Sequence, residues 1–271
     1  MIKCPVCNNE LKEFDTLYKC CNNHSFDKNK KGYTNLLMSN QLNSKDPGDN
    51  QEMINARVNF LKTDKYNKLR KELFNIISNL NKNNFTFLDI ACGEGYYTNY
   101  LMKEFNNSRG FGIDLSKYAL INAIKNKKEL GINNVDYFIA SLTKLPFMTE
   151  TIDVALNCFA PLDEIEFNRV LKKDGIFIRV LPSTYHLWEL KEVLYEKVKE
   201  NVEKEKELLN FKLLDIIEVN DTIELNNEEI NNLFLMTPYY YKSPLNGSTK
   251  LKNMDYLITR ISFKIYIYQK L

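Results

Sequence analysis

Phe85-Thr86-Phe87-Leu88-Asp89-Ile90-Ala91-Cys92 runs straight into Gly93-Glu94-Gly95, and a helical pattern opens near Tyr96. A short, nearly continuous apolar run bounded by glycine reads as a parallel strand buried on both faces. The glycines permit close backbone approach and unusual dihedrals. A second strand, Gly110-Phe111-Gly112-Ile113, ends at Asp114. Working outward, helical spacing covers about Ser116 to Leu130 and a strand follows over about Val135 to Ala140. Further strands are expected near Ile152–Cys158 and Ile176–Leu181, each paired with helical segments. This alternation predicts a doubly wound parallel sheet with right-handed crossovers.

The turn after the first strand carries the chemistry. A dinucleotide fold places Gly-x-Gly-x-x-Gly here, with a pyrophosphate on the helix N-terminus. This turn departs from that pattern. Ala91 stands at the first glycine position, and Tyr96 and Tyr97 follow Gly95. Asp89 and Glu94 flank the turn, and carboxylates repel a pyrophosphate. They suit a ligand carrying an ammonium and a sulfonium group, which describes S-adenosylmethionine. Asp114, closing the second strand, is placed to take both hydroxyls of a ribose.

Four of the six cysteines lie in the first 21 residues. Cys4-x2-Cys7-x12-Cys20-x3-His24 offers three thiolates and one imidazole, a set that suits tetrahedral zinc. Cys21 competes with Cys20 for the third position; the gap from Cys20 to His24 spans a turn more comfortably. Clustered cysteines with no hydrophobic leader point to a metal in a reducing, cytoplasmic setting rather than to disulfides. With every position filled from one stretch, the site reads as structural.

The chain has 271 residues, 44% of them hydrophobic and 27% charged, which is ordinary globular usage. No apolar run reaches membrane-span length. Net charge is +2, yet residues 1–82 hold 14 Lys/Arg against 9 Asp/Glu. Such a basic front end suits a polyanion. Residues 25–50 read as a polar, irregular linker, including the turn-rich Ser44-Lys45-Asp46-Pro47-Gly48-Asp49. Helices are expected over about Gln51 to Leu61 and Lys65 to Leu80. Their Arg57, Lys62, Lys65, Lys68, Arg70 and Lys71 either face a phosphate backbone or form a solvated surface. Late in the chain, Leu187–Val202 reads as a charged amphipathic helix. Ile258–Tyr268 alternates as a strand and is placed at the antiparallel edge of the sheet.

Taken together, the finger and the turn resemble the bacterial 23S rRNA (guanine-N1)-methyltransferases (RlmA-type), whose Gram-positive branch includes tylosin-resistance methyltransferases. The resemblance rests on the Cys4, Cys7, Cys20, His24 finger, Phe26-Asp27, Gly32-Tyr33-Thr34-Asn35-Leu36-Leu37 and Asp46-Pro47-Gly48-Asp49. It continues through Arg57 with Tyr66, Leu88 to Thr98, Lys144-Leu145-Pro146-Phe147, Ala160-Pro161, His186-Leu187 and Met236-Thr237-Pro238. Ala91 departs from it, since relatives commonly carry glycine there. The resemblance implies a class I S-adenosylmethionine-dependent methyltransferase, Rossmann-like, with a mostly parallel seven-stranded sheet. It divides the chain into a zinc finger over 1–36, a linker with basic helices over 37–82 and a methyltransferase domain over 83–271. It implies zinc in the finger and cofactor contacts from Tyr66, Gly93, Glu94 and His186, beside the Asp89, Gly95, Asp114 and Leu115 of the two strand ends. It further implies 23S rRNA as partner, a guanine in a hairpin loop as target, and a homodimer without membrane attachment.

Methylation of guanine N1 needs that nitrogen to lose its proton, so a base or a stabiliser of charge at O6 is required. Asp163 and Glu164 are placed for this role, but capping the next helix is the favoured reading for them. Phe159-Ala160-Pro161 is expected to line the target base, with Phe159 either stacking on it or buried in the core. The run Tyr239-Tyr240-Tyr241 carries the same two readings. The competing function is a small-molecule methyltransferase whose finger only braces the fold.

Overall fold

In the computed structural model, residues 1–38, 48–201 and 207–271 are described. Three short strands, β1 (Leu11–Glu13), β2 (Leu17–Cys20) and β3 (Ser25–Asp27), form an antiparallel ribbon. The next strand, β4 (Tyr33–Asn35), leaves that ribbon and pairs in parallel with β7 (Val135–Ile139), Thr34 lying opposite Phe138. The expected irregular linker over 25–50 therefore gives way to strands at both 25–27 and 33–35. Its Ser44–Pro47 portion lies outside the described residues.

The large sheet is completed by β5 (Thr86–Ile90), β6 (Arg109–Asp114), β8 (Ile152–Cys158), β9 (Leu171–Pro182), β10 (Phe211–Asn226) and β11 (Tyr256–Lys270). Its order is β10-β11-β9-β8-β5-β6-β7-β4, eight strands rather than the expected seven, the addition being β4. Every neighbour pair from β9 to β4 is parallel. By contrast, β11 runs antiparallel to both of its neighbours. It is not the edge, as its alternation suggested; the longer β10 covers it. The order in which strands are added reverses between the parallel neighbours β5 and β8, and the crevice beyond their carboxyl ends is where open α/β sheets hold ligands.

Nine helices are distributed unevenly among the described residues. They are α1 (Gln51–Leu61), α2 (Asn67–Ser78), α3 (Tyr96–Glu104), α4 (Lys117–Glu129), α5 (Glu164–Val170), α6 (Trp188–Leu194), α7 (Asn227–Leu235), α8 (Tyr239–Lys242) and α9 (Leu245–Lys252). One sheet face packs Phe60, Leu69, Leu101, Leu120, Leu190, Ile230 and Leu251 of seven helices into a single apolar layer. Local signals fix several starts: the Ser116 hydroxyl accepts from the Ala119 amide, and Asn226 with Glu229 makes a capping box. The charged segment after Leu187 is helical only to Leu194, because Tyr195 turns extended and its hydroxyl accepts from Ser243; Val202 lies outside the described residues.

On the opposite face, Leu88, Ile90, Phe111, Phe138, Phe147 and Phe177 meet α5 and the ribbon. No helix intervenes between β7 and β8, against expectation. Ribbon residues Ile2, Leu11 and Tyr18 fill that space. Tyr18 sets its ring edge against Phe138 at 5.6 Å. Backbone bonds pin the contact: the Lys3 amide donates to Pro146 at 2.9 Å and the Met148 amide to Met1 at 2.8 Å. The ribbon thus occupies the position of a sheet-covering helix. Because Tyr18 is only 2% exposed, Tyr18→Ala is expected to cost about 3–5 kcal/mol. Denaturant unfolding followed by sheet-wide circular dichroism is expected to lose stability in one transition; a ribbon melting separately from an unshifted main transition would contradict this coupling.

Candidate functional site

The turn between β5 and α3 is built from left-handed backbone at three positions: Ala91 (φ +62°), Gly93 (φ +57°) and Gly95 (φ +75°). At Gly95 a Cβ would lie 2.8 Å from the Tyr137 hydroxyl and 2.9 Å from Ala123, so glycine alone fits. Ala91 bears a left-handed cost of about 1–2 kcal/mol that glycine avoids. Strand alternation sends Leu88 and Ile90 towards the ribbon and leaves Asp89 on the helical side, where Thr98 of α3 donates to it at 2.6 Å.

Beyond this turn lies a cavity of about 930 Å³. Tyr66, Asp89, Gly93, Glu94, Asp114, Leu115 and His186, seven of the eight positions expected to hold the cofactor, line it. Gly95 does not; it starts α3 behind the wall. Asp114 accepts from the Gly93 amide at 2.9 Å and the Ser116 amide at 2.8 Å. One lone pair on each oxygen stays available for a diol. Burial raises the Asp114 carboxyl above its usual range, against the pull of these two amides. Glu94 is likewise raised by burial, opposed by the Arg57 charge, and its Oε2 is buried without a hydrogen-bond partner. Tyr97 leaves a second such orphan, its hydroxyl. Donor-rich ligands fit such a wall.

Asp89 is pushed up to about 7, first by burial and then by the nearby Asp114 and Glu94 charges, with the Thr98 hydrogen bond opposing. His186 is lowered to about 3 by burial and is therefore neutral. Its Nδ1 accepts from the Ser262 amide at 3.2 Å, which assigns the ring proton to Nε2. The opposite end of the cavity is aromatic. Phe159 takes left-handed backbone (φ +57°) and is 44% exposed, so it is not core. Tyr239 and Tyr241 also line the cavity, whereas Tyr240 packs on Phe234. Asp163 caps α5 by accepting from Glu166, and Glu164 accepts from Asn210 at 3.3 Å; neither lines the cavity.

The basic helices do not present the free face that their composition allowed. Arg57 pairs with Asp49 and Glu94, Lys65 with Glu229, and Lys68 donates to the Asn220 carbonyl. Arg70 pairs with Asp64 and stacks on Tyr96 and Tyr100. Lys62 and Lys71 are exposed. Reading charge along the helices missed Arg57 and Asp49 as cavity residues; the signal available was their shared place in the family resemblance.

In the ribbon, Cys4, Cys7, Cys20 and His24 bring their ligand atoms within 4.8 Å of one another. Cys7 and Cys20 sulfurs are 3.6 Å apart, and the His24 Nδ1 lies 3.4 Å from Cys20 and 3.6 Å from Cys4. A zinc tetrahedron with bonds of about 2.0–2.3 Å has edges of about 3.4–3.8 Å, so the set fits. Cys21 is exposed and faces Asn22 instead. Asn8 and Asn23, both left-handed, close the two turns that aim the ligands.

The family model for "Methyltransferase domain" matches residues 81–237, and that for "RlmA, N-terminal" matches residues 2–45. "Putative 23S rRNA (guanine-N(1)-)-methyltransferase YxjB" of Bacillus subtilis is 28% identical over 94% of this chain and 92% of its own length. The "23S rRNA (guanine(748)-N(1))-methyltransferase" of Streptomyces fradiae is 29% identical over 71% of this chain and 67% of its own length. The solved structure of the [4+2]-cyclase SpnF superposes with a TM-score of 0.50 at 17% identity, covering 73% of this chain and 80% of that one. That likeness concerns the fold alone. Among the described residues, no helix is long and apolar enough to cross a membrane.

Metal analysis is expected to find zinc lost in Cys7→Ser and retained in Cys21→Ser; the reverse would move the ligand set. Asp89 binds its proton more tightly in the folded chain, about 7 against an unperturbed 3.8. Its contribution to stability is therefore full below pH 4 and is lost as pH rises to 7. Asp89→Asn, which still accepts from Thr98, is expected to flatten the fall in unfolding free energy between pH 4 and 7. Denaturant titrations across that window give the comparison; an unchanged slope would show that Asp89 does not titrate there.

Proposed function

The chain belongs to the methyltransferase-domain family and carries the RlmA-type N-terminal ribbon, and from this premise we propose that it transfers a methyl group from S-adenosylmethionine to N1 of a guanine in a hairpin loop of 23S rRNA. One observation carries the reading: a single cavity joins a carboxylate-rich glycine turn at one end to half-exposed aromatic rings at the other. We read the chain as a zinc ribbon over 1–36, a connecting region over 37–82 and a methyltransferase domain over 83–271, with β4 stitching the first to the last.

When bound, the cofactor supplies an electrophilic methyl group on a sulfonium centre. The residues of the chain bind and orient. Asp114, held by two backbone amides, offers its remaining lone pairs to the ribose hydroxyls. Glu94 adds an acceptor with no competing partner. Neutral His186 offers Nε2–H to an anionic group, and the buried Tyr66 ring walls the same side. Phe159 and Tyr241 give ring faces to a guanine turned out of its loop, and the backbone carbonyls of the 159–161 turn accept from its edge. The acids lining the cavity, Asp49, Asp89, Glu94 and Asp114, gather around the glycine turn and Arg57. Rate enhancement then rests mainly on positioning.

RNA contact is supported by the outward side of the ribbon. Lys12 lies directly opposite Lys19, a like-charge pair that an anionic partner relieves. Phe14, 52% exposed, follows on the same hairpin. On this reading the protein acts in the cytoplasm and binds RNA directly. The family resemblance adds homodimerisation and antibiotic resistance as expectations.

Primer extension on 23S rRNA treated with the purified protein and cofactor is expected to stop at a guanine, because N1 methylation blocks base pairing. In the same assay Asp114→Ala is expected to lose the stop, with cofactor affinity weakened by about 1–3 kcal/mol in calorimetry. Cofactor binding without any stop on rRNA would favour a different methyl acceptor.

A further inference from the structure

Arg57 is the cation that the cavity does not need for a cationic ligand. Its side chain is 24% exposed, on α1, and lies between two carboxylates. One is Asp49, on the segment just before α1; the other is Glu94, whose Oε2 is 3.9 Å from the Arg57 Nη1. A Cβ on Gly93 would lie 3.7 Å from that same nitrogen, so the guanidinium rests over the glycine turn. The Asp49 segment is itself seated at the end of β6. Its carbonyl accepts from the Ser116 hydroxyl at 2.7 Å, and a Cβ on Gly48 would lie 3.0 Å from the Ser116 amide. Across the cavity mouth, Met53 of α1 meets the Tyr241 hydroxyl at 3.2 Å.

From this geometry we infer that Arg57 is a positioning residue that latches residues 48–57 over the cavity and holds Glu94 in place for the cofactor. The distances decide how it acts. Arg57 is bonded to Asp49 but stands at ion-pair, not hydrogen-bond, separation from Glu94. It therefore fixes the Glu94 charge without consuming its acceptor sites. A buried carboxylate with no cation beside it takes up a proton and loses an acceptor. Arg57 thus serves binding from the cavity wall by holding its neighbours in place. This inference rests on the S-adenosylmethionine reading of the cavity.

Calorimetric titration of the full-length zinc-loaded protein with S-adenosylmethionine gives the test. Arg57→Gln is expected to weaken binding at least about tenfold, with a thermal midpoint within about 3 °C of the parent. Arg57→Lys, which keeps the charge, is expected to recover most of the loss. Asp49→Asn is expected to weaken binding too, and the double variant to be no worse than Arg57→Gln alone, as one latch requires. Hydrogen exchange supplies a second readout: the cofactor is expected to slow exchange over residues 50–57 in the parent and not in Arg57→Gln. Unchanged affinity in Arg57→Gln, while the parent binds, would overturn the latch alone. If Arg57→Gln does not fold, unchanged affinity in Asp49→Asn does the same. Failure of the parent to bind the cofactor would overturn the underlying reading and the latch with it.

Discussion

Everything in the site depends on one steric constraint: β5 must become α3 within five residues, Ala91 to Gly95, while its backbone stays close to β6. Three left-handed residues achieve the turn. The Gly95 N–H closes the turn on the Cys92 carbonyl, and the Gly93 N–H meets Asp114 from the next strand. The acid at the end of β6 is thereby fixed by the turn at the end of β5. Asp89, just before the turn, and Glu94, within it, are buried by the same tightness. Burial raises all three carboxyls, and hydrogen bonds or the Arg57 charge work against it.

The sheet divides the molecule into two unlike halves. Seven helices pack one face, and their loops build the cavity wall. The other face is covered by α5 and by the ribbon. In this chain the ribbon is no detachable module. Tyr18, Leu11 and Ile2 belong to the same apolar layer as Phe138 and Phe147. A truncation that removes residues 1–45 also removes the cover from that layer, together with β4 from the sheet. Bracing the sheet occupies one side of the ribbon and leaves Lys12 and Phe14 exposed.

Much of this was legible in the sequence, for physical reasons that can be named. Phe85 to Cys92 announced a doubly buried strand because no polar residue except Asp89 and Thr86 interrupts it. The metal ligands were legible because tetrahedral geometry restricts spacing, and the preference for Cys20 over Cys21 follows from the turn to His24. The cavity residues were legible where strand ends and the family resemblance converged. What escaped reading was long-range pairing. Tyr33-Thr34-Asn35 is too short and polar to look like a strand, and it becomes one only because β7 offers an open edge. The alternation of Ile258–Tyr268 identified a strand but could not place it, since β10, with its Asp, Asn and Glu residues, hides the true edge. The cations on and between α1 and α2 looked solvent-facing because their partners, Glu94, Asn220 and Glu229, are distant in sequence.

The pairing of Tyr33–Asn35 with residues 137–139 also sets an order of events during synthesis. The ribbon emerges from the ribosome first, and the strand it must join follows roughly 100 residues later, several seconds at ordinary elongation rates. For that interval the metal is the ribbon's main source of order, since a chain this short cannot build a sufficient core. The apolar side that will cover Phe138 and Phe147 stays bare until they arrive. A nascent chain that captures its zinc early presents a finished surface to the incoming sheet; one that does not leaves two unfinished apolar surfaces in search of each other.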